Sequence, residues 1–156
     1  MANILLKSVV HNVGVLIVGF AFAYLGTAID THFHLAPLAV PFSRPVALAL
    51  LTIGFSLRLW AAYQFYLHHM YIISFEPQST LITTGPYRFS RNPLYLGGNV
   101  FVFFGASLWL RSPAAVAMTV LHLPLIDLFI RHEERQLEQK FGDQWRVYKK
   151  RVRRWL

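Results

Sequence analysis

Apolar residues gather into four long runs along this chain of 156 residues. A helix needs about 20 apolar residues to cross a hydrocarbon core of about 30 Å. The runs reach or approach that length and predict membrane spans at 9–29, 46–66, 94–110 and 113–130. The predicted fold is therefore all-α, a polytopic membrane helix bundle with about four transmembrane helices.

A signal peptide is the alternative for the first run. Lys7 precedes it, and Ala21-Phe22-Ala23 resembles a cleavage site. The apolar residues continue past that site to Ile29, which favours a transmembrane helix.

Composition favours a membrane protein over a soluble domain. Charged residues make up 14% of the chain, against about 25% in soluble domains. Of the 15 Lys and Arg residues, nine lie between Arg131 and Arg154, so the net charge of +8 belongs mainly to the tail. We expect this tail to bind anionic membrane lipids, and no nucleic acid. Cys is absent, which excludes disulfides and thiolate chemistry.

The same charges predict an orientation. The second loop, at about 67–93, carries Arg88 and Arg91, whereas the loop near 30–44 and the short hairpin after the third span carry one basic residue each. Cytoplasmic segments hold the excess of Lys and Arg. We therefore expect both termini and the second loop on the cytoplasmic side, with the bacterial inner membrane favoured over the endoplasmic reticulum.

The tail predicts a further, amphipathic helix beyond Gly142, a residue that suits a helix end. Across the whole tail, from the end of the fourth helix onward, apolar residues recur at spacings of three and four, which places them on one helical stripe: Leu137, Phe141, Trp145, Tyr148, Val152 and Trp155. We expect this helix to lie in the membrane interface. Packing of the stripe on protein is the alternative.

The densest polar cluster, at 85–98, precedes the third span. Pro93 suits the first turn of that helix, where free backbone donors and the helix dipole favour an anion. Arg88 and Arg91 can add charge-assisted hydrogen bonds. Gly97-Gly98 lets a flat group or another helix come close. A juxtamembrane turn with basic anchors and packing glycines is the alternative.

A second polar cluster ends the fourth span. Asp127, Arg131 and Glu134 share one helix face, so Arg131 can pair with either acid. Glu133 points elsewhere, and its carboxylate can accept hydrogen bonds from hydroxyl or amino groups. A solvated helix end with salt bridges is the alternative. Arg58 is an intramembrane charge and so a functional candidate, although it can also snorkel to the membrane rim.

Two histidine pairs, at 32 and 34 and at 68 and 69, lack a partner acid at suitable spacing. We interpret them as interfacial residues and predict no metal site.

The chain resembles a known family at two places. Gly85-Pro86-Tyr87-Arg88 and then Arg91-Asn92-Pro93-Leu94-Tyr95-Leu96-Gly97 are similar to a Gly-x-Tyr…Arg-His-Pro-x-Tyr-x-Gly motif. That motif belongs to the isoprenylcysteine carboxyl methyltransferases and the phospholipid N-methyltransferases. Glu133-Glu134-Arg135, with the segment from Phe141 to Trp155, resembles the family's C-terminal ending. The resemblance covers about half of the chain, 79–156.

This resemblance implies methyl transfer from S-adenosylmethionine to a lipophilic acceptor at the cytoplasmic membrane face. A single domain, 1–156, would hold the cofactor between 79–98 and 127–156. We expect the last helix to fold back under the second loop, where Trp145 and Tyr148 would exclude water from the methyl donor. The implied cofactor residues are Ser79, Thr80, Leu81, Ile82, Tyr87, Arg91, Asn92, Pro93, Leu94, Tyr95, Glu133 and Glu134. We assign Arg58 and Arg131 to the substrate, a lipid or other lipophilic small molecule that enters laterally from the bilayer.

Two residues depart from the family pattern. Asn92 stands where His is commonest, and Trp145 stands where Tyr is usual. Asn keeps a donor and an acceptor but cannot transfer a proton at neutral pH. Because no convincing base is present, an acceptor that is already nucleophilic is favoured. The alternatives are a membrane reductase using NADPH, with Arg88 and Arg91 at its phosphate, and a non-enzymatic membrane protein.

The predicted topology can be tested with single cysteines, because the chain has none of its own. We expect Leu38→Cys and Gln139→Cys to react with a membrane-impermeant maleimide from opposite faces of sealed vesicles. Reaction of both variants from the same face would contradict the topology.

Overall fold

The computed structural model describes residues 2–72 and 79–156, so the part of the second loop at 73–78 lies outside the described residues. Within these ranges the chain is all-α, as predicted, and contains no β-strand. A short 3-10 turn, Gly85–Arg88, precedes the third helix. The five main helices are α1 (Ala2–His32), α2 (Ser43–Leu67), α3 (Pro93–Trp109), α4 (Pro113–Phe141) and α5 (Asp143–Arg151).

Helices α1, α2 and α4 are long and apolar enough to cross a membrane, whereas α3 is apolar but shorter. At 1.5 Å per residue α3 is about 25 Å long. The four predicted spans thus correspond to three long helices and one short one. Large apolar side chains such as Ile17, Leu121 and Phe129 are mostly exposed on the long helices. Such a surface suits lipid, and this chain is a membrane helix bundle.

Helix α3 packs against α1, α2 and α4 and so forms the centre of the bundle. Its segment Leu96–Val102 is a wider π-helical turn. Glycines bring the neighbouring backbones together there. A Cβ atom at Gly54 of α2 would lie 2.6 Å from the carbonyl oxygen of Gly97. Helix α2 can approach the π-helical turn of α3 this closely only because both positions lack side chains.

The two ends of the bundle hold different loops. At one end Leu38 of the first loop donates its backbone N–H to the carbonyl of Arg111 in the hairpin (2.8 Å). At the other end Arg91 of the second loop donates its backbone N–H to the carbonyl of Arg153 in the tail (2.9 Å). The charge pattern paired these segments in the same way. Which membrane face each end meets stays a prediction.

The amphipathic tail helix, α5, starts directly after Gly142, whose φ of 50° turns the chain at the end of α4. Trp145 and Tyr148 of its apolar stripe are buried in the protein, with 1% and 7% of their surfaces exposed. The sequence pattern predicts the membrane interface for this stripe. The alternative, packing on protein, holds for these two residues because the second loop and α4 supply a surface that covers them.

The close approach of α2 and α3 predicts that Gly54→Ala destabilises the protein. The new methyl carbon would lie 2.6 Å from the carbonyl oxygen of Gly97 and 2.6 Å from Cβ of Phe101, and such overpacking costs about 1–3 kcal/mol. Gly14→Ala is the matched control, because a Cβ atom at Gly14 meets nothing within 4 Å. Thermal unfolding in detergent should show a lower midpoint for Gly54→Ala alone; equal midpoints for the two variants would refute the packing argument.

Candidate active site

A cavity of about 320 Å³ lies at the end of the bundle where the second loop and the tail meet. Its volume is within the range of ligand pockets, roughly 300–1,000 Å³. All five helices and the second loop contribute to its wall. The cavity therefore depends on the whole chain and cannot form from the two sequence motifs alone.

Arg91 ties the second loop to the tail. Its Nε donates to Glu134 Oε1 (3.1 Å), and Nη2 lies 3.0 Å from the same oxygen. Its Nη1 donates to the carbonyls of Lys149 and Val152, at 3.0 and 3.1 Å. One guanidinium thus bonds α4 and the end of α5 at once, and its planar fork suits such multiple contacts.

The last residues of the chain complete this link. Ser90 Oγ and Asn92 Nδ2 both donate to the carbonyl of Arg154, at 3.1 and 3.3 Å. The Arg154 guanidinium in turn donates to Glu134 Oε2 (2.8 Å) and Asp127 Oδ1 (3.1 Å). These hydrogen bonds, first those with Glu134, raise the pKa of Arg154. Glu134 is therefore held between two arginines, and Asn92 acts here in docking the tail.

Glu133 faces the cavity and has a different partner from its neighbour. The Tyr95 hydroxyl donates to Glu133 Oε1 (2.7 Å). Successive residues of a helix point about 100° apart, so Glu134 can enter the ion-pair network while Glu133 lines the cavity. A carboxylate has about four acceptor positions. After the Tyr95 bond, Glu133 keeps capacity for hydroxyl or amino donors of a ligand.

Helix α5 closes the cavity with two aromatic rings. The rings of Trp145 and Tyr148 meet edge to face, 5.6 Å between centroids. Tyr148 donates its hydroxyl hydrogen bond to the carbonyl of Tyr87 in the second loop (2.8 Å). Burial raises the pKa of both Tyr87 and Tyr148. Both phenols therefore stay neutral at physiological pH, and the lid adds apolar surface without adding charge.

Two buried donors in the wall lack a protein partner. Among the described residues, Trp145 Nε1 and Arg58 Nη2 are the buried side-chain nitrogens or oxygens without a hydrogen bond. Both side chains line the cavity. An unsatisfied buried donor costs about 1–3 kcal/mol. A ligand whose acceptor atoms reach these nitrogens would satisfy them, which suits an oxygen- and nitrogen-rich molecule.

The structure brings most of the predicted site residues together. The following predicted cofactor and substrate residues line the cavity: Leu81, Ile82, Tyr87, Arg91, Asn92, Leu94, Tyr95, Glu133 and Arg58. Ser79 and Thr80 lie exposed at the start of the described loop, and Pro93 is buried in the first turn of α3. Arg131 is exposed and pairs with Asp127 at 2.6 Å, away from the cavity wall.

Sequence reasoning missed six residues of the wall. Two are polar, His11 of α1 and Asn99 of α3, and four are apolar: Val15, Phe65, Ile72 and Leu137. His11, with Asn12, is the polar interruption of the first span, and a polar residue inside a span is a usable signal. Asn99 follows Tyr95 by four residues and so shares its helix face. The signals were present, but only the packing of α1 against α3 joins them to the motif.

Comparison with known proteins identifies the family. The sequence profile of the phospholipid methyltransferase family matches residues 42–144. The chain belongs to this family. The resemblance read from the motifs is thereby confirmed, and the family implies methyltransferase activity in a membrane protein. The matched region runs from the start of α2 to the start of α5, whereas α1 and most of α5, which complete the cavity, lie outside it.

One curated relative is similar over part of the chain. An uncharacterised protein of Haemophilus influenzae is 40% identical over 58 residues, which are 36% of this chain and 92% of the relative. No solved structure matches this phospholipid methyltransferase family member at a significant level.

The ion pairs of Glu134 predict that Glu134→Gln loosens the tail. The variant would leave Arg91 and Arg154 without their shared charge, and hydrogen bonds to charged groups contribute about 1.5–3 kcal/mol each. We expect faster hydrogen exchange in α5 and a lower unfolding midpoint. Asp143→Asn is the control, because its ion pair with Arg146 is exposed and should contribute little. Equal exchange rates in the two variants would remove Glu134 from this role.

Proposed function

We propose that this protein transfers a methyl group from S-adenosylmethionine to a lipophilic acceptor at the cytoplasmic face of the membrane. The observation that carries the proposal is the cavity wall, which holds both Glu133 and the Trp145 side chain, whose buried Nε1 has no hydrogen-bond partner. Family membership supports the reaction class. The wall supports a ligand with both donor and acceptor groups, as the amino-acid and nucleoside parts of S-adenosylmethionine have.

The cavity offers suitable contacts for each part of this cofactor. Glu133 can accept from the ribose hydroxyls or from the amino group, with Tyr95 fixing its orientation. Trp145 Nε1 can donate to a ring nitrogen or a carboxylate oxygen. Ile82 and the ring of Tyr87 give a buried apolar surface for the flat base. When bound, the cofactor supplies an electrophilic methyl group on a sulfonium whose departure leaves a neutral thioether.

The protein's own contribution is alignment and exclusion of water. Methyl transfer is an in-line displacement, so holding donor and acceptor in register removes much of its entropic barrier. The aromatic lid of Trp145 and Tyr148 keeps solvent from the reacting centre. Their position depends on the bonds of Arg91 to α4 and to the end of α5. The tail thereby joins the active site and is more than a membrane anchor.

A second depression suggests how a lipophilic acceptor is held. A groove of about 520 Å³ lies between α3 and α4, with an almost wholly apolar wall that includes Leu96, Val100, Val120 and Leu123. Tyr95 and Asn99 of α3 line the cavity, and the next residues, Leu96 and Val100, line this groove. A hydrocarbon chain in the groove would bring its polar end to the same end of the bundle as the cavity.

The reductase alternative is less well supported by the geometry. It required Arg88 and Arg91 to form a phosphate pocket in the second loop. The guanidinium of Arg91 instead donates hydrogen bonds to Glu134 and to backbone carbonyls of the tail. Arg88 lies beside a separate, open depression and does not line the cavity.

The assignment of Glu133 predicts that Glu133→Gln weakens binding of S-adenosylhomocysteine while the protein still folds. Loss of a charged hydrogen-bond acceptor costs about 1.5–3 kcal/mol, roughly ten- to a hundredfold in affinity. Isothermal titration of the detergent-purified protein measures this change, with NADPH as the comparison ligand. Glu138→Gln is the matched control, because Glu138 is on the same helix and pairs with Lys149 away from the cavity. Unchanged affinity in Glu133→Gln would exclude this carboxylate from the site, and binding of NADPH alone would favour the reductase.

A further inference from the structure

Arg58 is a charged residue in an unusual place. It lies on the membrane-spanning helix α2, yet only 3% of its surface is exposed. It therefore does not snorkel to the membrane rim. An ion buried in a medium of low dielectric constant is costly unless it is paired and hydrogen-bonded. Residues of this kind within spans usually mark a functional site.

Hydrogen bonds from two neighbouring helices orient the Arg58 guanidinium. Its Nε donates to Asn12 Oδ1 of α1 (3.1 Å), and its Nη1 donates to the carbonyl of Leu94 in α3 (2.7 Å). The Asn12 amide donates in turn to the carbonyl of Ser8 (2.7 Å). That bond turns the Asn12 oxygen towards Arg58. The fork is thus oriented from two neighbouring helices before any ligand arrives, which lowers the entropic cost of binding.

Two adjacent glycines make room for this side chain. A Cβ atom at Gly97 would lie 2.8 Å from Arg58 Cγ, and one at Gly98 would lie 2.5 Å from Arg58 Nη1. Both glycines belong to the π-helical turn of α3, and such turns are frequent at functional sites. The glycine pair that the sequence suggested for a flat ligand or a helix contact therefore admits the guanidinium of Arg58.

The charge of Arg58 has no counter-ion in the part of the chain that the structure describes. Its hydrogen-bond partners there are an amide oxygen and a backbone carbonyl, both neutral. The nearby acids are engaged elsewhere: Glu133 with Tyr95, and Glu134 with Arg91 and Arg154. Arg58 Nη2 is buried without a partner, and the side chain lines the cavity. A positive charge without a counter-ion among the described residues thus lies in the wall of the ligand space, and one donor of the same guanidinium has no partner.

We propose that Arg58 is the oxyanion-binding subsite of this cavity, and that it pairs with a carboxylate or a phosphate of a bound ligand. The inference rests on the proposed function for the identity of that ligand. The oxyanion is either the carboxylate of the methyl donor's amino-acid part or the phosphate of a lipid acceptor. A carboxylate, which is planar, and a phosphate, which is tetrahedral, each have two oxygens that can accept hydrogen bonds from a guanidinium. A purely structural tie between α1, α2 and α3 is the competing explanation.

The decisive measurements use the wild-type protein, so they do not depend on a variant that folds. In the first arm, calorimetry compares S-adenosylhomocysteine with its analogue in which the carboxylate is a primary amide. In the second arm, phosphatidic acid is compared with diacylglycerol of the same acyl chains, in the same detergent. We expect the neutral ligand to bind at least tenfold more weakly in one arm, because a charge-assisted hydrogen bond is lost. The arm that responds identifies the source of the oxyanion.

Variants then assign the effect to this residue. In Arg58→Met the difference between the charged and the neutral ligand should disappear, whereas Arg88→Met, which removes an exposed cation outside the cavity, should keep it. Arg58→Lys retains the charge without the fork and should keep part of the difference. Equal binding of charged and neutral ligands by the wild type in both arms would overturn the proposal. Failure of the wild type to bind S-adenosylhomocysteine in either form would instead refute the proposed cofactor, while the lipid arm would still test Arg58.

Discussion

The candidate site depends on one buried carboxylate, that of Glu134. It joins three parts of the chain that are distant in sequence: α4, the second loop through Arg91, and the C-terminal segment through Arg154. Removal of this carboxylate would leave two arginines without their shared counter-charge, and breaking a buried pair is far more costly than losing a surface one. The aromatic lid, the position of the Arg91-Asn92 motif and the end of α4 are all secured by this cluster.

Helix geometry points the two neighbouring glutamates, Glu133 and Glu134, in different directions, so that they have different partners. Because consecutive residues point about 100° apart, Glu134 turns to the arginines while Glu133 turns to Tyr95 and the cavity. The structural carboxylate is neutralised by the protein, and the other keeps acceptor capacity. This division explains how a small chain can both hold its tail in place and bind a polar ligand at one turn of one helix.

Close helix packing at α3 also positions a functional residue, Arg58. Glycines at 54, 97 and 98 let α2 and α3 approach closely, and the space they leave admits Arg58. Its guanidinium then bonds to α1 through Asn12 and to α3 through Leu94. The bundle core therefore positions a cation at the wall of the cavity. In a membrane protein the lipid-facing side chains contribute little to a site, so polar residues of the bundle interior carry most of its chemistry.

Local physics was enough to read the membrane class, the helices and the two motifs. A single apolar segment in lipid is helical, because a helix pairs all its backbone N–H and C=O groups within the segment. The methyltransferase family followed from the residues at 85–97 and 133–155, and Glu133, Tyr95 and Tyr87 were predicted to be near one another. Tertiary structure decided what no spacing contains: that Glu134 pairs with Arg91 and Arg154 and not with Arg131. It also decided between the two places expected for Trp145 and Tyr148, since both are buried in the protein and Tyr148 bonds to the second loop. Finally, it brought His11, Asn99 and Arg58 to the cavity. Such contacts depend on how whole helices pack. The spacing of residues along one helix shows which side chains share a face, but it does not show which other element that face will contact.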